Sequence, residues 1–539
     1  MTIYNRNKER LLLIVSGILM GISFPPFPFP CQILMLVGLI PYFLVIEKRE
    51  RLIDLNRASY LMGFIFSLIT LYWVGSWQKE ADTFLMISGG LLIFVNPIFF
   101  MIPTTLLYFS RNFFSKKVSI YLFPLFWVTY EYLYMITDLS FPWLTLGSGI
   151  SQFNIFIQIA DIIGAVGISM IVVYINIFIA KAIQERSLSP KNFWINIALG
   201  TGIFIMVIVY GIFRISTFKI SDEKVKVGLI QPNLDPWEKW SSTNLQDLTS
   251  EYLDLSRQAV NNGAKVIFWP ETALPVYLRD GGYNSILDSI YNFLDKNDVS
   301  LISGMPDLIY YKPGNNVPED IKYNKASNYY YATYNAVLLF SPRGRQIESY
   351  GKSKLVPFGE RVPFVDQLPF LRDLIKWSVG ISDWNVGKDT TVFRVQLVNM
   401  DTLKINSLVC YESIYPYYVE RFINKGANLI SVVTNDSWYG NSSGPYQHKE
   451  IAVLRAVENR KTVVRAANGG ISCIIDPKGR TVTESKMFTK TQITGDVLIQ
   501  ENETFFSKFP LIIPVISSAF AFWIFGIFIL KKLKTMLNL

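Results

Sequence analysis

A cysteine, a glutamate and a lysine of this 539-residue chain stand where three segments that read as strands give way to turns. Cys410 closes the short run Leu408-Val409 in NSLVCYESIYP, with Glu412 two positions later. Glu271 follows KVIFW almost directly, and Lys352 follows the segment 346–351. A nucleophile delivered by a strand into a sharp turn is exposed at the rim of a sheet. The C-terminal ends of strands are also where α/β sites collect. A thiol of pKa about 8.5 is mostly protonated at neutral pH, so a reactive cysteine needs a base within reach. The chain has a single histidine, His448, in a polar stretch beside Gln447, where a lone histidine is more often a surface residue than a base. Cys–His or Ser–His chemistry would rest on that one residue, and carboxylates or a lysine are the other candidates. Taken singly, each residue is also ordinary: a buried Cys at a strand end, a solvated Glu or Lys.

The elements that must position these groups are readable from pattern. KVKVGLIQ (224–231) alternates and then runs apolar, as a strand entering a sheet does. Leu245, Leu248, Tyr252, Leu255 and Ala259 have helical spacing, and Asn262-Gly263 marks the end of that helix. KVIFW is a buried strand, 284–296 a helix and 299–304 a strand, and this alternation predicts an α/β core. The Tyr- and Asn-rich stretch 305–333 reads as an irregular excursion. Strands at 334–341 and 346–351 are joined by Pro342-Arg343-Gly344, a hairpin signal. After Cys410 the pattern gives a helix at 415–425, a strand at 428–433, a helix at about 447–460 and strands at 461–466 and 492–499. The segment 364–386 is aromatic and amphipathic, which fits either a helix capping the core or an arm at a membrane interface.

Half of the residues are hydrophobic and 17% are charged, which argues against a purely soluble protein. About 20 apolar residues span a bilayer as a helix. Eight such spans are expected, at about 11–28, 32–46, 58–75, 84–106, 118–136, 154–180, 192–214 and 509–530. Phe24–Pro30 lacks a small-residue cleavage site, so the first span is not expected to be removed as a signal peptide. The N-terminus, the 2–3, 4–5 and 6–7 loops and the tail hold sixteen Lys and Arg, against Lys79 alone in the alternate loops. That bias places both termini in the cytoplasm and 217–506 on the far side. Residues 217–508 hold 33 basic and 32 acidic residues. The net charge of +9 therefore belongs to the cytoplasmic flanks, and no nucleic-acid partner is expected. Neither a disulfide nor a metal site is expected. The division is a membrane domain at 1–216, an extracytoplasmic domain at 217–506 and a last span with a basic tail at 507–539.

WPETALP (269–275), KSKLVPFGE (352–360) and CYES (410–413) resemble the Glu–Lys–Cys motifs of the nitrilase (carbon–nitrogen hydrolase) superfamily. With eight spans, and with LSFPW (139–143), Gly147, Ser151-Gln152 and DIIGAVG (161–167), the chain resembles one branch, the bacterial apolipoprotein N-acyltransferases. The resemblance implies a multi-pass α-helical membrane domain plus an α/β nitrilase-like αββα sandwich on the periplasmic side of the inner membrane. It implies Cys410 as nucleophile, Glu271 as general base and Lys352 as stabiliser of the tetrahedral oxyanion. Glu360, Tyr411, Glu412 and Asn335 match positions that support such a site, and Trp240 a substrate-binding tryptophan. Trp377, Trp438 and Tyr439 are aromatic candidates for lipid contact.

The reaction so implied takes a fatty acyl chain from a membrane phospholipid, phosphatidylethanolamine being the family's usual donor. The chain passes through a Cys410 thioester to the α-amine of the S-diacylglyceryl cysteine of an apolipoprotein, in a monomer with no cofactor. Two other readings use the same residues: a membrane-anchored amidase with water as acceptor, and a lipoprotein-binding scaffold with an inert Cys410.

Overall fold

In the computed structural model, residues 3–79, 81–240, 244–312, 321–325, 328–365, 367–368, 384–397 and 402–537 are described. The chain divides into two compact units. One comprises Met1–Gly75, Ile87–Phe218 and Thr504–Leu539, the other Ser76–Met86 and Lys219–Glu503.

The second unit is built from two sheets. The first has seven strands. β1 (Lys224–Gln231), β2 (Val266–Trp269) and β3 (Ser300–Tyr311) run parallel as its centre. β4 (Lys322–Asn324), β5 (Tyr329–Phe340) and β6 (Glu348–Gly351) extend one side. The alternation read in KVKVGLIQ is realised: Lys224 and Lys226 point to solvent, and from Val227 onward every residue is buried. The second sheet contains β7 (Val392–Val395), β8 (Leu403–Val409), β9 (Leu429–Thr434), β10 (Thr462–Ala467), β11 (Cys473–Ile475) and β12 (Thr481–Glu484), with β8, β9 and β10 parallel. β13 (Thr491–Leu498) returns to the first sheet, antiparallel to β1 from Lys224↔Leu498 to Gln231↔Thr491.

Helices 245–261 and 284–297 bury Leu248, Tyr252, Leu255, Ile290 and Leu294 against Trp269, Leu301 and Leu338 of the first sheet. Helices Pro416–Ile423 and Ser443–Asn459 lie on the second sheet, and the two sheets meet through β1 against β10 and β5 against β8. The layers are helix, sheet, sheet, helix. Because parallel strands are covered on both faces, their sequences are continuous apolar runs.

Two expectations are corrected. The described residues of 305–333 are not an irregular excursion: β3 and β5 pair there as a long antiparallel ribbon, from Leu301↔Phe340 to Tyr311↔Tyr330. Tyrosine suits a half-exposed ribbon, and Tyr329, Tyr330 and Tyr331 stand together at intermediate exposure; the polarity of the stretch alone suggested a loop. β7 was not anticipated at all. The segment 364–386 lies largely outside the described residues.

In the first unit, five helices among the described residues are long and apolar enough to cross a membrane. They are Leu52–Gly75, Thr83–Ser110, Ala160–Glu185, Pro190–Thr217 and Ile512–Met536. The other three expected spans differ for physical reasons. Ile3–Ile22 is a 20-residue helix whose first turns carry Arg6, Lys8, Glu9 and Arg10. The stretch 32–46 folds as a 3-10 turn and a seven-residue helix. The stretch 118–136 contributes only Phe123–Ile136 as a regular helix, after a helical turn and a 3-10 turn. Glu131, on that helix, accepts hydrogen bonds from Trp127 Nε1 (2.9 Å) and the Leu146 amide (3.1 Å). Asp161 pairs with Arg214 Nε at 2.6 Å and accepts from the Tyr210 hydroxyl. Asp161 is thus held by the helix Pro190–Thr217, whereas Glu131 is held through Oε1 alone among the described residues, by its own helix and the Leu146 turn.

Candidate active site

Glu271 sits two residues beyond β2, on a turn forced into shape by its neighbour. Thr272 has φ 47°, and a Cβ on Gly304 would lie 2.6 Å from Glu271 Cα and 2.7 Å from the Pro270 carbonyl oxygen. Only glycine permits β3 to pass so close. The carboxylate is 7% exposed. Oε1 accepts from Asn335 Nδ2 at 2.8 Å and Oε2 from the Asn435 backbone amide at 3.0 Å.

Lys352 follows β6. Its amide donates to the Asn335 carbonyl and its carbonyl accepts from the Gly387 amide, both at 2.8 Å, so the backbone is pinned on both sides. Its ammonium lies 2.8 Å from Glu360 and 3.7 Å from Glu271 Oε1, and it is 1% exposed. Glu360 is itself fixed, accepting from the Val356 amide at 2.8 Å and from Asn335 Nδ2 at 3.0 Å. Asn335 thus bridges the two carboxylates on either side of one lysine. Burial alone would lower the Lys352 pKa, but Glu360 and Glu271 hold it well above its ordinary value, so it is permanently cationic. Burial raises the Glu271 pKa; Lys352 opposes this and Glu360 adds to it.

Cys410 ends β8 with φ 49° and opens the 3-10 turn Cys410–Ile414. Glu412 ties that turn to the lysine loop. Its Oε2 accepts from the Val409 amide at 2.9 Å. Its Oε1 accepts from the Ser353 amide (2.7 Å), the Lys354 amide (3.1 Å) and the Tyr350 hydroxyl (2.7 Å). Tyr411 is buried, its ring 5.3 Å from that of Tyr415. The thiol is pushed far above the ordinary cysteine value by burial first and by the Glu271 charge second, with Lys352 opposing. It rests as S–H, within the electrostatic reach of both groups. A base of raised pKa, a fixed cation and a protonated thiol can together open an acyl bond: the proton leaves as the carbon–sulfur bond forms.

Tyr439 feels the charges of Cys410, Glu360, Lys352 and Glu271, so it stands at the same site. Trp438 packs edge-on against Trp237, ring centres 4.8 Å apart. Its carbonyl accepts from Gln78 Nε2 at 3.2 Å and from the Ser76 hydroxyl. Trp240 is half-buried at the end of the short helix Pro236–Lys239. Trp377 lies outside the described residues. No cluster of three or more His, Cys, Asp or Glu suited to a metal occurs among the described residues. Cys31, Cys410 and Cys473 are free thiols, Cys473 with its pKa pushed up to about 12 by burial.

Two groups escaped the sequence reading. Lys239 is buried, its ammonium donating to the Thr272 carbonyl (2.6 Å) and hydroxyl (3.1 Å), immediately beside Glu271. Burial pushes its pKa down to about 8, against the pull of Glu271. Only its place before Trp240 could have marked it. His448 is the second: it is no surface residue but lies 2% exposed on helix Ser443–Asn459, beneath the Cys410 turn.

Comparison with known proteins gives two family matches. The carbon-nitrogen hydrolase family matches residues 226–503, and the apolipoprotein N-acyltransferase N-terminal domain matches residues 16–178. The apolipoprotein N-acyltransferase of Chlorobaculum tepidum is 32% identical over 515 residues, 94% of each chain. That of Geobacter metallireducens is 31% identical over 93% of this chain and 92% of its own. That of Rickettsia typhi is 31% identical over 94% and 97%.

Proposed function

The chain belongs to the apolipoprotein N-acyltransferase family, and from that premise we propose a two-step acyl transfer centred on Cys410. It is an acyltransferase of the inner membrane acting on lipid-linked substrates. In the first step Glu271 takes the Cys410 proton as the sulfur attacks the ester carbonyl of a membrane phospholipid, with phosphatidylethanolamine as donor. Lys352 stabilises the oxyanion, and the lysophospholipid alkoxide leaves with the proton held by Glu271. In the second step the α-amine of a diacylated lipoprotein cysteine attacks the thioester. Glu271 accepts the amine's proton and returns it to the departing Cys410 sulfur, which restores the thiol and the free carboxylate, so each half-reaction balances.

The observation that carries this reading is the arrangement of Glu271 and Lys352. They share Asn335 and Glu360, and both act electrostatically on a cysteine held at φ 49°. Glu360 and Glu412 hold Lys352 and the Cys410 turn, Tyr411 packs the turn, and Trp240, Trp438, Tyr439 and Trp377 contact the acyl chain or lipid. The divided basic residues support eight crossings, with both termini cytoplasmic and 217–506 periplasmic. Mass spectrometry of a lipoprotein N-terminus from cells depleted of endogenous activity tests the function. Expression of this protein is expected to add one acyl chain to the α-amine, and an N-terminus that stays diacylated refutes it.

A further inference from the structure

The Cys410 turn is underpinned by a buried charged network that the chemistry above does not use. His448 Nε2 lies 2.9 Å from Ser413 Oγ and 3.1 Å from the carbonyl oxygen of Cys410 itself. Its Nδ1 lies 2.8 Å from Arg465 Nη2 and 3.1 Å from Asp436 Oδ1. Arg465 in turn pairs with Asp436 Oδ2 at 2.5 Å and donates to the Ile471 carbonyl at 2.7 Å. Every member is buried.

Donor and acceptor accounting decides the histidine's state. Nδ1 faces a donor, Arg465 Nη2 at 2.8 Å, and an acceptor, Asp436 Oδ1 at 3.1 Å; a guanidinium carries only N–H groups, so the closer contact takes the Nδ1 lone pair. The single proton of a neutral imidazole then sits on Nε2, where it faces two oxygens. Ser413 Oγ donates its own proton to the Cys410 carbonyl at 2.8 Å, leaving its lone pairs for His448. This tautomer satisfies Ser413, Cys410 and Arg465 together and turns the Nδ1 lone pair toward Asp436 Oδ1, which accepts instead from the Thr434 hydroxyl at 3.0 Å; the other leaves the Cys410 carbonyl facing a lone pair. Burial first, and Arg465 second, also lower the His448 pKa, with Asp436 opposing. The charged groups that face the ring are Asp436, from the turn after β9, and Arg465, from β10. The groups beneath the Cys410 turn contribute only hydroxyl and carbonyl.

We infer that His448, locked as the neutral Nε2–H tautomer by Arg465, is a positioning residue that holds the Cys410 carbonyl and so fixes the left-handed turn presenting the nucleophile. It is not a base: its one proton faces the backbone of the residue it would have to deprotonate. A cysteine with φ 49° is strained for a residue with a Cβ, and the two hydrogen bonds to its carbonyl keep it there. Arg455, one helical stretch further on, donates to the Ile414 carbonyl at 3.2 Å and secures the turn's other end.

The inference rests on Cys410 being the nucleophile, and the test separates the two. The full chain in detergent, with phosphatidylethanolamine and no acceptor, is followed by intact-protein mass spectrometry across pH. If the unaltered chain forms no adduct at Cys410, the assignment of the nucleophile fails. If it does, His448→Phe is expected to slow adduct formation about 10²-fold, the scale of a misplaced reacting group. Half-saturation by phospholipid and both limbs of the pH profile should stay in place. His448→Gln, whose amide can still donate to the carbonyl, should recover to within about 10-fold of the original rate. Should His448→Phe fail to fold, Ser413→Ala carries the test, with an expected loss of about 10-fold at unchanged half-saturation. Unchanged rates in these variants overturn the inference. So does equal loss in His448→Phe and His448→Gln with disappearance of the acid limb, which makes His448 a base. Losses that merely track unfolding in both variants overturn it as well.

Discussion

Replacing Glu360 by glutamine removes one charge from a cluster of two carboxylates and one ammonium while leaving its shape. In the native cluster Lys352 Nζ has Glu360 at 2.8 Å and Glu271 at 3.7 Å. At an effective dielectric of about 20 these contacts are worth about 6 and about 4.5 kcal/mol of Coulomb attraction. The variant loses the first but keeps the second; its one amide oxygen can still accept from Lys352 and the Val356 amide, while its NH2 would face the Asn335 Nδ2 donor. It also loses the repulsion between the two carboxylates. The cost should therefore fall below the ~3–5 kcal/mol of a buried charge left with no partner, at about 2 kcal/mol. The kinetic effect has a definite sign. Glu360 is among the groups that raise the Glu271 pKa, so its loss lowers that pKa. A base titrating lower remains competent at lower pH but takes the thiol proton less readily. The acid limb of the rate of Cys410 acylation should move to lower pH, and the plateau should drop about 10-fold. Single-turnover acylation from phospholipid across pH measures both. An acid limb that stays fixed or moves upward refutes the electrostatic linkage of Glu360, Lys352 and Glu271.

Three further outcomes follow. Glu271→Gln should lower acylation about 10²–10⁴-fold while costing about 1–3 kcal/mol in thermal unfolding, because one amide hydrogen of the new side chain would face the Asn435 backbone amide; near-normal acylation removes Glu271 from the chemistry. Lys239→Met keeps the buried volume but frees the Thr272 carbonyl and hydroxyl, so the Glu271 turn should loosen and acylation fall about 10²-fold, as stopped-time mass spectrometry would read. In a background stripped of native cysteines, a cysteine at Ser285 should react with an impermeant thiol reagent from the periplasm and one at Ser187 should not; both sites are exposed in the fold, and the reverse pattern overturns the orientation.

The core of this fold was legible because its strands are covered on both faces. KVIFW, VSLISG and NLISVV are mostly apolar and their strand residues are buried, and residues following such segments stand at the sheet's rim. That is why Glu271, Lys352 and Cys410 drew notice. The β3–β5 ribbon was not legible, since its consecutive tyrosines (329–331) are half-exposed without alternation and mimic a polar loop. Lys239 was hidden because a lysine normally signals solvent; its burial depends on the Thr272 carbonyl, supplied 33 residues later. His448 was misread for the same reason: its partners come from the Cys410 turn, Asp436 and β10, and no local pattern joins them. Hydropathy also overcounted regular long helices, as 32–46 and 118–136 are apolar but broken by 3-10 turns.

The central claim is that a fatty acyl group resides on Cys410 between donor and acceptor. Incubation with phospholipid alone, followed by peptide mapping, tests it most directly. The account predicts a species one acyl mass heavier, mapped to the peptide containing Cys410 and released by hydroxylamine. It should be discharged by a diacylated lipopeptide and absent in Cys410→Ser but present in Cys31→Ser and Cys473→Ser. Acyl transfer to the lipopeptide that persists in Cys410→Ser, or a stable adduct on Cys473, would contradict it.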